Sequence, residues 1–388
     1  MRVPEGWRET KIADIADIQV GRDLNESAYS EVKTDQHRFP VFSNTVENRG
    51  LYGFYDFEEY SGNSVTIVGR GIGLGTAFSR KKGCGYGAIG RLLVVNPIND
   101  SFDVDFFANY VNFRLRIFNE SGGIPQLPGS QLAKYHVVLP PFPEQQQIAQ
   151  ILSTWDKAIE KLEALIAAKQ KRKKALMQQL LTGKKRFANF DEKWTIRKLS
   201  EISESFSGGT PSRNTPEYFN GEIPWIKSGE VNQRVIFRSE EKITQLGLKN
   251  SSAKVVPKNN VLVAMYGATA GKVAITKIDA AINQAILAII PNANISTDFL
   301  FYLIELEMDD SISLVQGGQP NLNAGILKSL KLKIPELVEQ DKIASLLSAA
   351  DSEIETHQKQ LAALKAQKKG LMQQLLTGKK RVKVDSHV

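Results

Sequence analysis

LMQQLLTGKKR occupies residues 176–186 and recurs without a change at residues 371–381, an offset of 195. Carried backwards without a gap, the alignment of 140–186 with 335–381 holds 25 identities in 47 pairs. Pro140/Pro335, Glu144/Glu339, Gln145/Gln340, Ile148/Ile343, Asp156/Asp351 and Ile159/Ile354 are among them. Further upstream, Gly122, Gly123, Pro125 and Leu127 meet Gly317, Gly318, Pro320 and Leu322 at the same offset. A repeat on this scale means that one structural design is used twice.

The segment leading into each copy carries a heptad seam. In the first it is Ile148, Leu152, Trp155, Ile159, Leu162, Ile166, Lys169, Lys173, Leu176 and Leu180, in steps of four and three with two lysines interrupting. In the second it is Ile343, Leu347, Ala350, Ile354, His357, Leu361, Leu364, Lys368, Leu371 and Leu375. Pro143 in the first turn, an early Glu144, Gly183 after the last turn and Lys184–Arg186 beyond it are helix start and stop signals. About 40 residues at 1.5 Å each predict a rod of roughly 60 Å. A helix of that length does not hide its apolar stripe alone. The expectation is that the two rods pair with each other, antiparallel; joining a bundle with another chain is the alternative.

Around the rods lie two segments of mixed character. Residues 1–139 contain β-rich runs such as SVTIV (64–68) and RLLVV (91–95) between Gly, Asn and Ser clusters, with a helix expected over 102–118. Residues 188–334 offer IPWIKS, NVLVAMYGA, GKVAIT and AAINQAILAIIP as strands and TDFLFYLIELEMDD as a helix. Trp194 with RKLSEI echoes Trp7 with TKIADI, but between those openings and the Gly-Gly-x-Pro turns there is little similarity. The expected fold is α+β: mixed α/β domains at 1–139 and 188–334, a long spacer helix at 140–187, and a second spacer helix with a basic tail at 335–388. The internal repeat makes it pseudo-twofold.

Charged residues make up 24% and hydrophobic residues 42% of the chain, the balance of a soluble globular protein. A net charge of +8 suits a polyanionic partner. One cysteine, Cys84, excludes an internal disulfide framework and a thiolate-clustered zinc site. The opening residues carry no basic head followed by an apolar run, and no stretch approaches the roughly 18 apolar residues of a membrane helix. A cytoplasmic location without a membrane partner is expected.

The duplicated Pro-x-x-x-Glu-Gln helices ending in Leu-Leu-Thr-Gly resemble the specificity subunit of type I restriction–modification enzymes. PFPEQQQIAQILSTWDKAIEKLE with its second copy, SGGTPSR (207–213), IPWIKSGEV (223–231) and GGQPNLN (317–323) carry the resemblance, which covers essentially the whole chain. It implies that the two variable segments are target-recognition domains, each reading one half of a split, asymmetric sequence in double-stranded DNA. The paired helices are then a ruler and a docking surface for two modification subunits. It also implies a non-catalytic chain that binds no cofactor. S-adenosylmethionine, ATP and Mg2+ belong to the modification subunits and the motor–nuclease restriction subunits.

Base reading calls for Arg, Lys, Asn and Gln presented from loops. Arg22, Asn44, Arg70, Lys81 and Lys82 qualify in the first domain, and Arg213, Lys227, Asn232, Thr269 and Lys272 in the second. Gln126, Gln319 and Asn321 sit on the Gly-Gly-x-Pro turns. Each also fits a plain surface residue. GATAGKV (267–273) falls one residue short of a phosphate-binding loop and lacks its Ser/Thr; GRGIGLG (69–75) lacks the dinucleotide spacing. Both read better as glycine turns between strands. The clusters Lys169–Lys174, Lys184–Arg186 and Lys379–Arg381 fit either solvated, dipole-complementing termini or phosphate contacts. His37, His136, His357 and His387 are scattered, and Cys84 has no evident activating base. No metal site and no amino-methyltransferase tetrapeptide is present. On the residues alone, two rivals stay open: a standalone DNA methyltransferase or nuclease, and a coiled-coil scaffold linking two protein-binding domains.

Overall fold

The computed structural model describes residues 3–117, 124–313 and 322–383. Gly122, Gly123, Gly317, Gly318, Gln319, Pro320, Asn321 and His387 lie outside the described residues. Helices Phe142–Leu180 and Leu337–Leu375, each of 39 residues, are the two rods. The chain divides into two compact units, 1–163 with 359–388 and 164–358. Each unit therefore owns one globular domain and half of each rod.

Along both rods every heptad position named above is buried or half-buried, while most of its neighbours are exposed. Within the first unit the start of the first rod lies against the end of the second. Asp156 pairs with Lys368, Glu163 with Lys365 at 2.6 Å, and Glu144 with Arg381 at 2.7 Å. Within the second unit the roles exchange: Asp351 meets Lys173 at 2.6 Å, Glu353 meets Lys169 at 2.6 Å, and Glu339 meets Arg186 at 2.8 Å. Both sets require the rod halves to run antiparallel. The seam lysines are thus explained, since a facing carboxylate neutralises each one.

The duplicated stretch closes each rod. Leu180, Leu181, Leu375 and Leu376 are buried. Gly183 and Gly378, at φ +72° and +69°, turn the chain out of the helix in a conformation that side chains avoid. The N–H groups of Gly183 and Lys185 donate to the Leu180 and Gln179 carbonyls at 3.2 and 3.0 Å, satisfying helix-end acceptors. A Cβ on Gly378 would lie 2.5 Å from Pro4, so close approach fixes that residue as well. Arg186 and Arg381, three residues on, turn back and grip the buried Glu339 and Glu144 through two nitrogens each. Glu339 also accepts from Trp194 Nε1 at 3.0 Å. These two arginines are therefore tied to buried carboxylates, whereas Lys184, Lys185, Lys379 and Lys380 point into solvent without such a tie among the described residues.

Gln145 and Gln340 link rod to domain. Gln145 Oε1 accepts from Asp103 N at 3.0 Å, and Gln340 Oε1 from Ser296 N at 2.9 Å, each just ahead of a domain helix. Their amides donate to the Pro140 and Pro335 carbonyls at 2.9 Å. The first domain helix spans Val104–Arg114, shorter than the expected 102–118. Leu115 leaves helical backbone at ψ 117°, which lets Ile117 seat against Gly75.

The domains share a plan. In the first, an antiparallel sheet orders Ala16–Val20, Leu93–Pro97, Ser64–Ile67 and Ala77–Arg80. In the second, Ser203–Ser207, Ile286–Pro291, Asn260–Ala264 and Val273–Thr276 follow the same order, with Val235–Ile236 added at the edge. A second sheet in each contains one parallel pair, Phe39–Phe42 with Gly87–Ala88 and Phe219–Ile226 with Ala280–Ile282. One core per unit joins sheet, domain helix and rod. Val65, Phe107, Ile148, Leu152 and Leu375 meet in the first; Val261, Phe299, Leu180, Ile343 and Leu347 meet in the second. None of the described helices is long and apolar enough to cross a membrane.

Candidate nucleic-acid interface

In the first unit a continuous hydrogen-bond network, mostly backbone, draws five loops into one cluster. Arg22 N–H donates to Ala88 C=O at 3.0 Å and Gly90 N–H to Arg22 C=O at 2.9 Å. Asn44 ties two more loops, donating to Gly90 C=O and accepting from Gly69 N at 2.8 Å. Gly69 and Gly71 then bond to Leu127 and Pro125 at 2.8 and 2.9 Å. Exposed on this cluster are Arg22, Arg70, Arg91, Gln126 and Ile72. Arg22 is held 3.4 Å from Glu59. The Asn44 amide is occupied in bracing the loops.

Lys81 and Lys82 are elsewhere. They follow Ala77–Arg80 at the end remote from the glycine loop, about 13 Å along the strand. Lys81 lies 3.9 Å from Asp105, and Lys82 lines a shallow recess with Glu58, Ser61 and Asn63. Ahead of them Arg80 is buried, stacked 3.3 Å over Phe42, and no carboxylate pairs with it among the described residues. Burial pushes its guanidinium down to about 9.

The second unit builds a corresponding cluster. Gly209 N–H donates to Ile282 C=O at 3.0 Å, Asn283 N–H to Ile226 C=O at 3.1 Å, and Met265 N–H to Ala285 C=O at 2.8 Å. The turn Ser228–Gln233, which carries Asn232 and follows Lys227, packs on Gly267–Thr269, which Lys272 follows in the same hairpin. Thr210 bonds Gln284 at 2.5 Å on the same surface. Arg213 and Lys227 both grip Glu241, at 2.7 and 2.8 Å, and Arg213 stacks over Phe219 and Trp225 at 4.6 and 5.1 Å.

Arg213, then Lys227, hold the Glu241 carboxyl below its ordinary value of 4.5. A carboxylate depressed in the folded state contributes stability above its unfolded pKa and loses it as pH falls through the folded value. Glu241→Gln should therefore flatten the acid limb of the stability curve below about pH 4.5. Denaturant midpoints from pH 3 to 7 check this; parallel wild-type and variant curves would refute it.

Residue-type reasoning missed Arg91, Thr210, Gln284 and Ile72. Arg91 adopts φ +67°, a backbone state that only the fold reveals. Gln319 and Asn321 lie outside the described residues.

A family model described as a type I restriction modification DNA specificity domain matches twice, at residues 4–170 and 191–366. The chain belongs to that type I DNA-specificity family. The MjaVIII specificity subunit of Methanocaldococcus jannaschii is 27% identical, across 99% of this chain and 95% of that protein. The MjaIX specificity subunit of the same organism is 35% identical over 43% of this chain, a match spanning 40% of that protein. The EcoR124I/EcoR124II specificity subunit of Escherichia coli is 29% identical over 56% of each. In fold, the chain is similar to the crystal structure of the type I restriction-modification S subunit from M. genitalium, with a TM-score of 0.64 at 16% identity. That match covers 97% of this chain and 98% of that one. The two family-model matches are separated by residues 171–190, the last turns of the first rod and the linkage to the second domain. Each family domain thus comprises a variable segment followed by most of a rod.

Proposed function

We propose that this chain reads a bipartite, asymmetric sequence in double-stranded DNA, one half through each unit's loop cluster. The observation that carries the reading is the doubled cluster: one backbone scaffold holds an arginine-rich set in the first unit and a Lys, Thr, Asn and Gln set in the second. Different side chains on equivalent scaffolds read different bases, while exposed lysines engage phosphates without specifying sequence.

The rods set how many base pairs lie unread between the halves, and they dock two modification subunits. The chain itself performs no chemistry. Methylation uses S-adenosylmethionine on the modification subunits, and cleavage uses ATP and Mg2+ on motor–nuclease subunits, all in the cytoplasm. Family membership supports these assignments.

Replacing residues 1–139 with the corresponding segment of another family member should change one half of the methylated motif completely. The other half and the unread spacing should be unchanged. Methylation mapping in cells that co-express the modification subunit reads the result. A motif that survives the swap, or methylation by the purified chain alone, would overturn the proposal.

A further inference from the structure

The two glycine motifs are the same turn in different dress. Ser64–Ile67 reaches Ala77–Arg80 through Val68–Thr76, and Asn260–Ala264 reaches Val273–Thr276 through Met265–Lys272. In the first, Gly75 N–H donates to Val68 C=O at 2.8 Å, Val68 N–H to Thr76 C=O at 2.9 Å, and Thr76 N–H to Gly73 C=O at 2.9 Å. In the second, Gly271 donates to Ala264 at 2.8 Å, Ala264 to Lys272 at 2.9 Å, and Lys272 to Thr269 at 2.9 Å. Gly71 and Gly75, at φ +86° and +82°, correspond to Gly267 and Gly271, at +78° and +79°. The register is an offset of 196.

What differs is the side chains on that frame. Arg70 in the first hairpin stands where Tyr266 stands in the second, and Ile72 where Ala268 stands. Ile72 is 93% exposed, held out between Gly71 and Gly73, both at φ +86°. Among the described residues nothing lies within 4 Å of the place where a Cβ on Gly71 would sit, so on that side this backbone is open to close approach by another molecule. A docking site for an apolar protein surface would be a contiguous apolar patch. Ile72 instead shares its loop cluster with the exposed Arg22, Arg70, Arg91 and Gln126. Guanidinium and amide donors around one apolar tip match base edges. A two-stranded ribbon fits the major groove, about 12 Å wide, and not the minor groove of about 6 Å. There the apolar group on offer is the C5-methyl of thymine.

We propose that the hairpin Val68–Thr76 enters the major groove and that Ile72 reads a thymine in the first half-site through its methyl group. The inference rests on DNA reading by the loop cluster.

The complex with its modification subunits provides the test, once its motif is mapped. Each thymine of the first half-site is replaced in turn by deoxyuridine, which removes only the methyl group, and binding is measured at one fixed salt concentration. One position should weaken wild-type binding by about fourfold, the value of one buried methyl. Ile72→Ala should weaken binding to thymine DNA by at least as much and abolish the uracil effect at that position. A first half-site without thymine, no position weakened by twofold, or a uracil effect that persists in Ile72→Ala would each overturn the proposal. An Ile72→Ala loss without any uracil effect would replace it with a wedge between base steps. Failure of the underlying reading is a separate result: the motif would survive exchange of residues 1–139.

Discussion

Alanine in place of Gln340 should destabilise the second unit by about 3 kcal/mol, and alanine in place of Gln145 should destabilise the first by about 2 kcal/mol. Both glutamines are buried, at 0% and 1% exposure, so truncation leaves their partners dry. Gln340 serves Ser296 N, Pro335 C=O and, at 3.2 Å, Asn294 C=O. Gln145 serves Asp103 N and Pro140 C=O. Each orphaned buried group costs about 1–3 kcal/mol, partly relieved when water enters the space left behind. The order follows from the number of partners. Chemical denaturation followed by tryptophan fluorescence tests it, since Trp7 and Trp155 report on one unit and Trp194 and Trp225 on the other. Equal losses, or a larger loss for Gln145→Ala, would contradict the partner count.

The repeat-related substitutions Asp351→Ala and Asp156→Ala should differ sharply. Asp351 faces Lys173 at 2.6 Å and Arg234 at 3.1 Å, and it accepts from the Tyr302 hydroxyl at 2.8 Å. Burial, then the neighbouring Asp351 charge, push the Tyr302 phenol well above its ordinary range. Without Asp351, Lys173, only 11% exposed, keeps Glu305 at 3.8 Å as its carboxylate partner among the described residues, beside the Tyr302 ring. Breaking a buried pair costs about 3–5 kcal/mol. Asp351 is 31% exposed and Glu305 remains, so about 2 kcal/mol is expected. Asp156 is 53% exposed and, among the described residues, pairs with Lys368 alone, the setting in which an ion pair contributes about 0–1 kcal/mol. Unfolding midpoints of the two variants decide the matter, and similar shifts would show that the network around Arg234 adds nothing.

The rods were legible because their physics is periodic. A heptad stripe, a proline start and a glycine stop act locally, and each leaves its mark in adjacent residues. The partners of those signals were not legible. Glu144 read as a dipole-matching acid and Arg381 as part of a basic exit, yet each is the other's ligand across 237 residues. The candidate site was hidden for a related reason. Its loops are assembled by backbone hydrogen bonds and positive φ, which constrain only a few glycines. Thus Gly71/Gly267 and Gly75/Gly271 match at an offset one residue from that of the rods, and the residues between them are free to differ. Residue type alone identified Arg70 but gave no reason to separate it from Lys82, which the fold places at the far end of a strand.

The division of the chain has a consequence for its synthesis. The first unit draws on residues 1–163 and 359–388, so its core lacks Leu375 and Leu376 until the second unit has been made. At about 5–20 residues per second, a ribosome needs on the order of 10–40 s to travel from the first rod's midpoint to Arg381. Through that interval the first domain waits with an unfilled seam on its half-rod, while the second, 164–358, has every piece it needs shortly before Arg381 is made. The order of folding is then the reverse of the order of emergence. A stop codon ahead of Leu371 would strike the domain at the opposite end of the sequence and spare the one beside it.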